Sequence, residues 1–247
     1  MSALISFALG VFILLAYTLE AITGFGSVVI ALSLGALLLP IDQLLPILVP
    51  LNICMTGYLV RRHWRQIDLP LLLGTLLPGM LVGTLLGYAL LPYLDTQALQ
   101  IGFGLLITWF AGRELWRLSQ ASSPVRRPAW LTRAIMLGAG LSHGLFASGG
   151  PLLVYGLAGT PLDKARLRAT LISVWLTLNS LLTLAFALDG RLLPALPQVL
   201  SYAPLLLLGV WLGERLHRRF DERHFRIAIH LLLLLTGLLL LAPWRLA

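Results

Sequence analysis

The chain has 247 residues, of which 58% are hydrophobic and only 11% charged, against a charged share of about 25% in soluble domains. Together with a mean hydropathy of +0.90, this excludes a soluble globular protein and defines a polytopic membrane protein. The net charge of +8 does not point to nucleic acid, because the basic residues lie in short loops between apolar runs, where they set orientation.

The first apolar run predicts a helix over 2–22, and with neither a basic leader nor a small-residue cleavage site it reads as a retained helix. It carries Glu20, the only carboxylate inside an apolar span, and ends in the kink Glu20-Ala21-Ile22-Thr23-Gly24-Phe25-Gly26-Ser27. Helices over 26–40, 43–61, 69–92 and 97–117 follow. The second half repeats the plan at 130–146, 150–160, 165–188, 196–214 and 224–243. Its first helix carries His143 and ends in His143-Gly144-Leu145-Phe146-Ala147-Ser148-Gly149-Gly150-Pro151. The helix after each kink is too short to cross a hydrocarbon core of about 30 Å. Cys54 is the single cysteine, so no cysteine-based metal site or intramolecular disulfide is expected, and it reads as a small packing residue.

Four loops hold nearly all the positive charge: Arg61, Arg62 and Arg65; Arg113, Arg117, Arg126, Arg127 and Arg133; Lys164, Arg166 and Arg168; and Arg215, Arg218, Arg219, Arg223 and Arg226. Only Arg191 and Arg245 lie elsewhere. The positive-inside rule places the four loops in the cytoplasm and both termini in the periplasm.

The halves align residue by residue. Pro78, Gly83, Gly87 and Asp95 recur at one offset as Pro204, Gly209, Gly213 and Asp221, and Gly26 aligns with Gly149. Corresponding loops differ in charge bias, the loop at Asp42 being poor in basic residues and that at Asp163 rich. The expected architecture is all-α, with a first repeat over 1–118, a cytoplasmic linker over 119–129 and a second repeat over 130–247. The repeats have inverted topology and form one integral membrane domain. Each kinked pair is either a hairpin of two spans or a re-entrant hairpin. Such repeats commonly put a substrate site near the midplane, between broken helices, and give alternating access to it.

Each kink reads as a helix start aimed at an anion. Gly26 or Ser27 can cap the helix beginning at Val28, and Pro151 suits a first turn after Ser148, Gly149 and Gly150. The amides and the positive dipole end then favour an oxyanion over a cation. Glycines can equally serve close helix packing, but the recurrence of the device in both halves favours the anion reading. Thr23, Gly24, Phe25, Gly26, Ser27, Ser148, Gly149, Gly150 and Pro151 are therefore the candidate substrate-binding residues. Asn52, Ser173 and Thr177 join them from neighbouring spans; like Asn179, they either line the cavity or hydrogen-bond between helices.

A carboxylate at a helix centre costs ~2.5–3.5 kcal/mol on insertion scales, so Glu20 is expected to be neutralised, paired or facing a wet cavity. Glu20 and the equivalent His143 are the candidate proton-coupling pair. Their depths disagree in the sequence, since Glu20 lies far from the amino terminus and His143 only ten residues from Arg133. The stripes Gly79, Gly83, Gly87 and Gly209, Gly213 allow close helix approach, within the molecule by default or at a homodimer face.

The kink residues Thr23 to Ser27, the segment Ser148-Gly149-Gly150-Pro151-Leu152-Leu153-Val154-Tyr155, the duplication and the segment from Pro161 to Arg166 resemble the sulfite exporter TauE/SafE family over essentially the whole chain. The resemblance implies movement of small anions, with sulfite, sulfoacetate and other organosulfonates among family substrates. Many members have more glycine in the first kink, so Phe25 and Ser27 imply an altered cavity.

Two other classes fit parts of the sequence. A channel would use the kinks as a filter. An intramembrane serine hydrolase would use the G-x-S-x-G match Gly140-Leu141-Ser142-His143-Gly144, with His230 as base, yet that match lies in a helical run with no strand before it. No P-loop is present, so direct ATP drive would need another subunit, and no cofactor is expected. The expected function is thus secondary transport of a small anion in a bacterial inner membrane, in the exporting direction and coupled to protons. Its other partner is the lipid bilayer.

Overall fold

The computed structural model describes residues 2–23, 26–120, 128–157, 163–217 and 222–242, which form helices and turns. Helices α1 (Ala3–Thr23), α2 (Ser27–Gly35), α3 (Ile41–His63), α4 (Leu69–Leu71), α5 (Leu77–Leu90) and α6 (Thr96–Ser119) are followed by α7 (Ala129–Phe146), α8 (Gly150–Gly156), α9 (Lys164–Leu188), α10 (Leu192–His217) and α11 (Glu222–Leu240). Among the described residues, the segments Ala3–Ala21, Ile41–Gln66, Leu69–Tyr93, Ala165–Leu188 and Leu192–Gly213 are long and apolar enough to cross a membrane. The helices after the kinks are shorter than the sequence suggested: α2 has 9 residues and α8 has 7. Glycine or proline punctuates both ends of this part of the chain, and at 1.5 Å per residue neither helix spans the core.

Local chemistry sets the boundaries. The side chains of Asp68, Asp95 and Asp163 accept from Leu71 N, Ala98 N and Arg166 N at 2.9, 2.6 and 2.9 Å, capping α4, α6 and α9. Between α4 and α5, residues Leu72–Leu76 form a π-helical turn immediately before Pro78. Proline has no amide and crowds the carbonyl four residues back, so a widened turn accommodates it. Pro46 and Pro50 lie inside α3. Cys54, expected to be packed, is exposed on α3 instead, where the surface of an apolar helix tolerates a small weakly polar thiol.

The chain divides into two compact units, one comprising residues 1–45, 94–123 and 200–247 and the other 46–93 and 124–199. Neither coincides with a half of the sequence.

In the second unit α5 packs on α7 through glycines. A methyl added to Gly83 would meet Leu137, Gly140 and Leu141, and one on Gly87 would meet Leu141 and Gly144. Thr84 Oγ1 also donates to the Gly140 carbonyl at 3.3 Å. Leu76, Met80, Met136, Ala139, Leu153 and Val174 form the apolar core beside this seam. Backbones this close gain dispersion contacts that bulkier residues would prevent, which is how helices associate in lipid.

The first unit contains the same seam. Gly209 lies against Leu14, Tyr17 and Thr18 of α1, and Gly213 against Thr18 and Ala21. In the alignment that matches Glu20 with His143, these four α1 residues are the counterparts of Leu137, Gly140, Leu141 and Gly144. The Tyr202 hydroxyl adds a bond to the Ser6 carbonyl at 2.9 Å. Elsewhere in this unit α11 packs on α6, where Gly104 and Gly237 face one another.

Candidate functional site

The second kink is built from the end of α7. Ala147 closes that helix in the left-handed conformation, φ 49° and ψ 29°, and its N–H donates to the His143 carbonyl at 2.7 Å. The Ser148 hydroxyl donates to the Phe146 carbonyl at 2.9 Å, and the Ser142 hydroxyl to the Ser148 carbonyl at 3.0 Å. The bond to Phe146 satisfies a carbonyl that the helix end leaves free, and the bond to Ser148 ties the kink back to α7. Gly149 precedes α8 and lies so close to Ala139 and His143 that a side chain there would collide. Gly150 and Pro151 then open α8, both buried. Ser142 sits within α7 rather than on a strand-to-helix turn, and its proton is already engaged.

The ring of His143 projects from the last turn of α7 and is 1% exposed. It stacks on Trp175 of α9, with ring centroids 5.6 Å apart and planes inclined by 19°. One turn further along α9, Asn179 lies near enough to act on the imidazole. Neither ring nitrogen completes a hydrogen bond of ordinary geometry with any described residue. Asn179 donates instead to Asn52 Oδ1 of α3 at 2.7 Å, and both amides are buried, at 2% and 3% exposure. The Asn179 Oδ1 and Thr183 Oγ1 atoms, on the same side of α9, are buried without a hydrogen-bond partner among the described residues. A polar cluster from three helices thus stands in an apolar interior. This unit's carboxylates, Asp68, Asp163 and Asp189, all lie at helix ends.

Ser173 and Thr177 do not join this cluster. Two residues away from Trp175 and Asn179 along α9, they present a different face, and their hydroxyls donate to the Ala169 and Ser173 carbonyls at 3.0 and 2.9 Å. Trp175 and Thr183 are the members that sequence reasoning did not single out. Their spacing of four residues on either side of Asn179 was the available signal.

In the first unit Gly26 adopts φ 76° and ψ 40° and caps α2, which begins at Ser27. Ser27 is buried, and Ile30 N donates to the Gly26 carbonyl at 3.1 Å. Glu20 is 5% exposed and stands three residues before the end of α1, as His143 stands three before the end of α7. Gly24, Phe25 and the Thr23 side chain lie outside the described residues.

Both ends of α9 are tied to the α4–α5 segment. At one end Arg166 pairs with Asp68 at 3.2 Å, while Asp68 N donates to Thr170 Oγ1 at 2.9 Å. At the other, Tyr88 donates to Asp189, and Arg191 bonds Asp189 at 2.8 Å and the Tyr88 hydroxyl at 2.9 Å. Burial pushes the Asp189 carboxyl up, but the hydrogen bonds from Tyr88 and Arg191 and the guanidinium charge outweigh it and hold it below its ordinary value. Arg191 also lies over the rings of Tyr88 and Phe186.

Spanning helices around an occluded polar cluster at a helix break define an integral membrane transporter. The chain belongs to the sulfite exporter TauE/SafE family, whose model matches residues 9–240. It is similar to the probable inner membrane transporter protein TsaS of Comamonas testosteroni, with 32% identity over 186 residues, 74% of each chain. No solved structure matches it. The protein is a multi-pass inner membrane transporter of this family and not an enzyme.

Proposed function

We propose that the protein is a secondary transporter of a small anion, working in the exporting direction on sulfite, an organosulfonate such as sulfoacetate, or a related sulfur oxyanion. The observation that carries this reading is the buried cluster of His143, Asn179 and Asn52. It offers imidazole and amide groups in an apolar interior, with this unit's carboxylates away at helix ends, an environment suited to an anion. Ser148, Gly149, Gly150 and Pro151 adjoin it and belong to the same proposed site. Thr23, Gly24, Phe25, Gly26 and Ser27 are the corresponding proposal for the first half.

Alternating access by two related halves is supported by the recurrence of one glycine seam, Gly83 and Gly87 of α5 against α7 and Gly209 and Gly213 of α10 against α1. The matched distances of Glu20 and His143 from their helix ends support a shared role in proton coupling. The crowding of basic residues into four loops supports a cytoplasmic position for those loops and a periplasmic one for both termini. The closure of the cluster favours a carrier over a channel, since an open filter keeps its polar groups in contact with water.

The test is a flux screen in proteoliposomes with sulfite, sulfate, thiosulfate, sulfoacetate and small carboxylates, with and without a pH gradient. Saturable flux of one or more sulfur anions is expected. Absence of flux for every anion would refute the proposal.

A further inference from the structure

We propose that His143 is itself the ligand that carries the coupled proton: a monoanion occupies the site only as an ion pair with the His143 imidazolium, so anion and proton cross together and no net charge moves. This rests on the reading of the protein as an anion transporter and adds the stoichiometry and the atom responsible. Among the described residues of this unit, the charged groups lie at or near helix ends, away from His143. On its own helix the other ionisable residue is Arg133, three turns away near the start of α7. Tyr88 of α5 has its hydroxyl committed to Asp189 and Arg191. Tyr155 of α8 and Cys54 and Tyr58 of α3 bring no carboxylate, imidazole or basic group, and Arg61, Arg62 and His63 stand in the last turn of α3. On α9 the charges lie at its start, where Arg166 holds Asp68, and at Asp189 just beyond its end. The middle of this unit therefore contains one group able to change charge near neutrality, and that group is 1% exposed.

Two costs then oppose each other. An imidazolium alone in this interior would be a buried charge without a counter-ion among this unit's described residues, and an anion among neutral amides would be another; each is strongly unfavourable. Bound together they neutralise one another, so each raises the affinity for the other by the same factor, as linkage requires. The geometry suits both states. Trp175 stacks on the ring and accepts a cation on its face. The Asn179 amide can turn its oxygen to an imidazolium N–H or its NH₂ to the anion, and its Oδ1 has no hydrogen-bond partner among the described residues. The step is a simple protonation: one imidazole nitrogen takes a proton from the water on the side where the anion enters, an N–H bond forms, and the same proton leaves to water with the anion on the other side.

The experiment is calorimetric titration of the purified full-length protein with methanesulfonate, a strict monoanion, alongside sulfoacetate, whose sulfonate and carboxylate make it a dianion over this pH range. Each is run in two buffers of different ionisation enthalpy across pH 6–9. For methanesulfonate, uptake approaching one proton per bound anion is expected at high pH, with Kd rising about tenfold per pH unit. His143→Gln should flatten that slope. Binding without proton uptake, or an unchanged slope in His143→Gln, would overturn the inference while leaving anion transport standing. Failure of wild-type protein to bind or transport any anion would instead refute the underlying reading. Should His143→Gln not fold, Trp175 supplies the readout, because protonated imidazole quenches a stacked indole. Methanesulfonate should then quench emission in the wild type and lose that component in Trp175→Phe. Quenching that is absent from the wild type, or unchanged in Trp175→Phe, would contradict the proposal.

Discussion

The side-chain amide of Asn179 on α9 donates to Asn52 Oδ1 on α3 at 2.7 Å, joining two spanning helices by a bond that neither water nor lipid reaches. Removing one partner leaves the other buried with a lost bond, at about 1–3 kcal/mol in general and toward the lower end within membranes. Replacing both by apolar groups of similar shape is nearly neutral. Asn52→Leu and Asn179→Leu should therefore each lower the thermal midpoint in detergent, and the double variant should recover much of the loss. Flux should stay at least tenfold down in Asn179→Leu and in the double variant. Normal flux in the double variant would show the pair to be only structural.

The glycine seams make a contrast between two small changes. At Gly140 a methyl would run into the Met80 backbone, where no side-chain rotation can relieve it, so Gly140→Ala should destabilise by about 1–3 kcal/mol. At Gly112, inside α6, nothing lies within 4 Å, and Gly112→Ala should stabilise by about 0.5–1 kcal/mol through helix propensity. Thermal unfolding of the two variants side by side checks both signs.

Ala147 holds φ 49°, a conformation that costs an L-residue about 1–2 kcal/mol, at the helix-ending position where glycine is usual. Ala147→Gly should raise stability or leave it unchanged, whereas Ala147→Val should lower it sharply. Gly26, at φ 76°, predicts the mirror result: Gly26→Ala should destabilise by about 1 kcal/mol.

The Asp189 carboxyl lies below its ordinary value of 3.8 in the folded protein. A depressed carboxylate contributes stability above its unfolded pKa and loses it as pH falls through the folded one. The midpoint difference between wild type and Asp189→Asn should be constant above about pH 5 and close as pH falls below the carboxylate range. Because both partners are about a third exposed, the effect should not exceed about 1 kcal/mol at neutral pH.

The helices, their order and both kinks could be read from apolar runs and their glycine and proline breakers, because in lipid every backbone group must be satisfied within a helix. The shortness of α2 and α8 after their kinks was also legible, though not its extent. The partner of each helix was not legible. The offset between Gly83 and Gly209 shows that the halves correspond, but nothing local says that α5 lies on α7 and α10 on α1. His143 stood out as an imidazole in an apolar run, and Asn52 as an amide in a span. Their connection through Asn179 depends on the packing of α3, α7 and α9, and the placement of Ser173 and Thr177 on a different face of α9 depends on that helix's rotation. Arg191, one of two exceptions to the charge bias, is accounted for by Asp189 and two aromatic rings beside it.

Glu20 is the first unit's counterpart of His143 and is equally enclosed. Glu20→Gln should keep anion binding with its His143-dependent proton uptake but lower flux more than tenfold, as measured by initial flux rates at pH 6 and pH 8. Unchanged flux and pH profile would remove Glu20 from the coupling mechanism.

Counterflow in proteoliposomes tests the central claim most directly, by loading vesicles with unlabelled sulfite or sulfoacetate and following entry of the labelled anion. The account predicts saturable uptake, accelerated by the anion on the opposite side and at least tenfold lower in His143→Gln. Uptake that does not saturate and is indifferent to the opposite side, or no uptake of any sulfur anion, would contradict it.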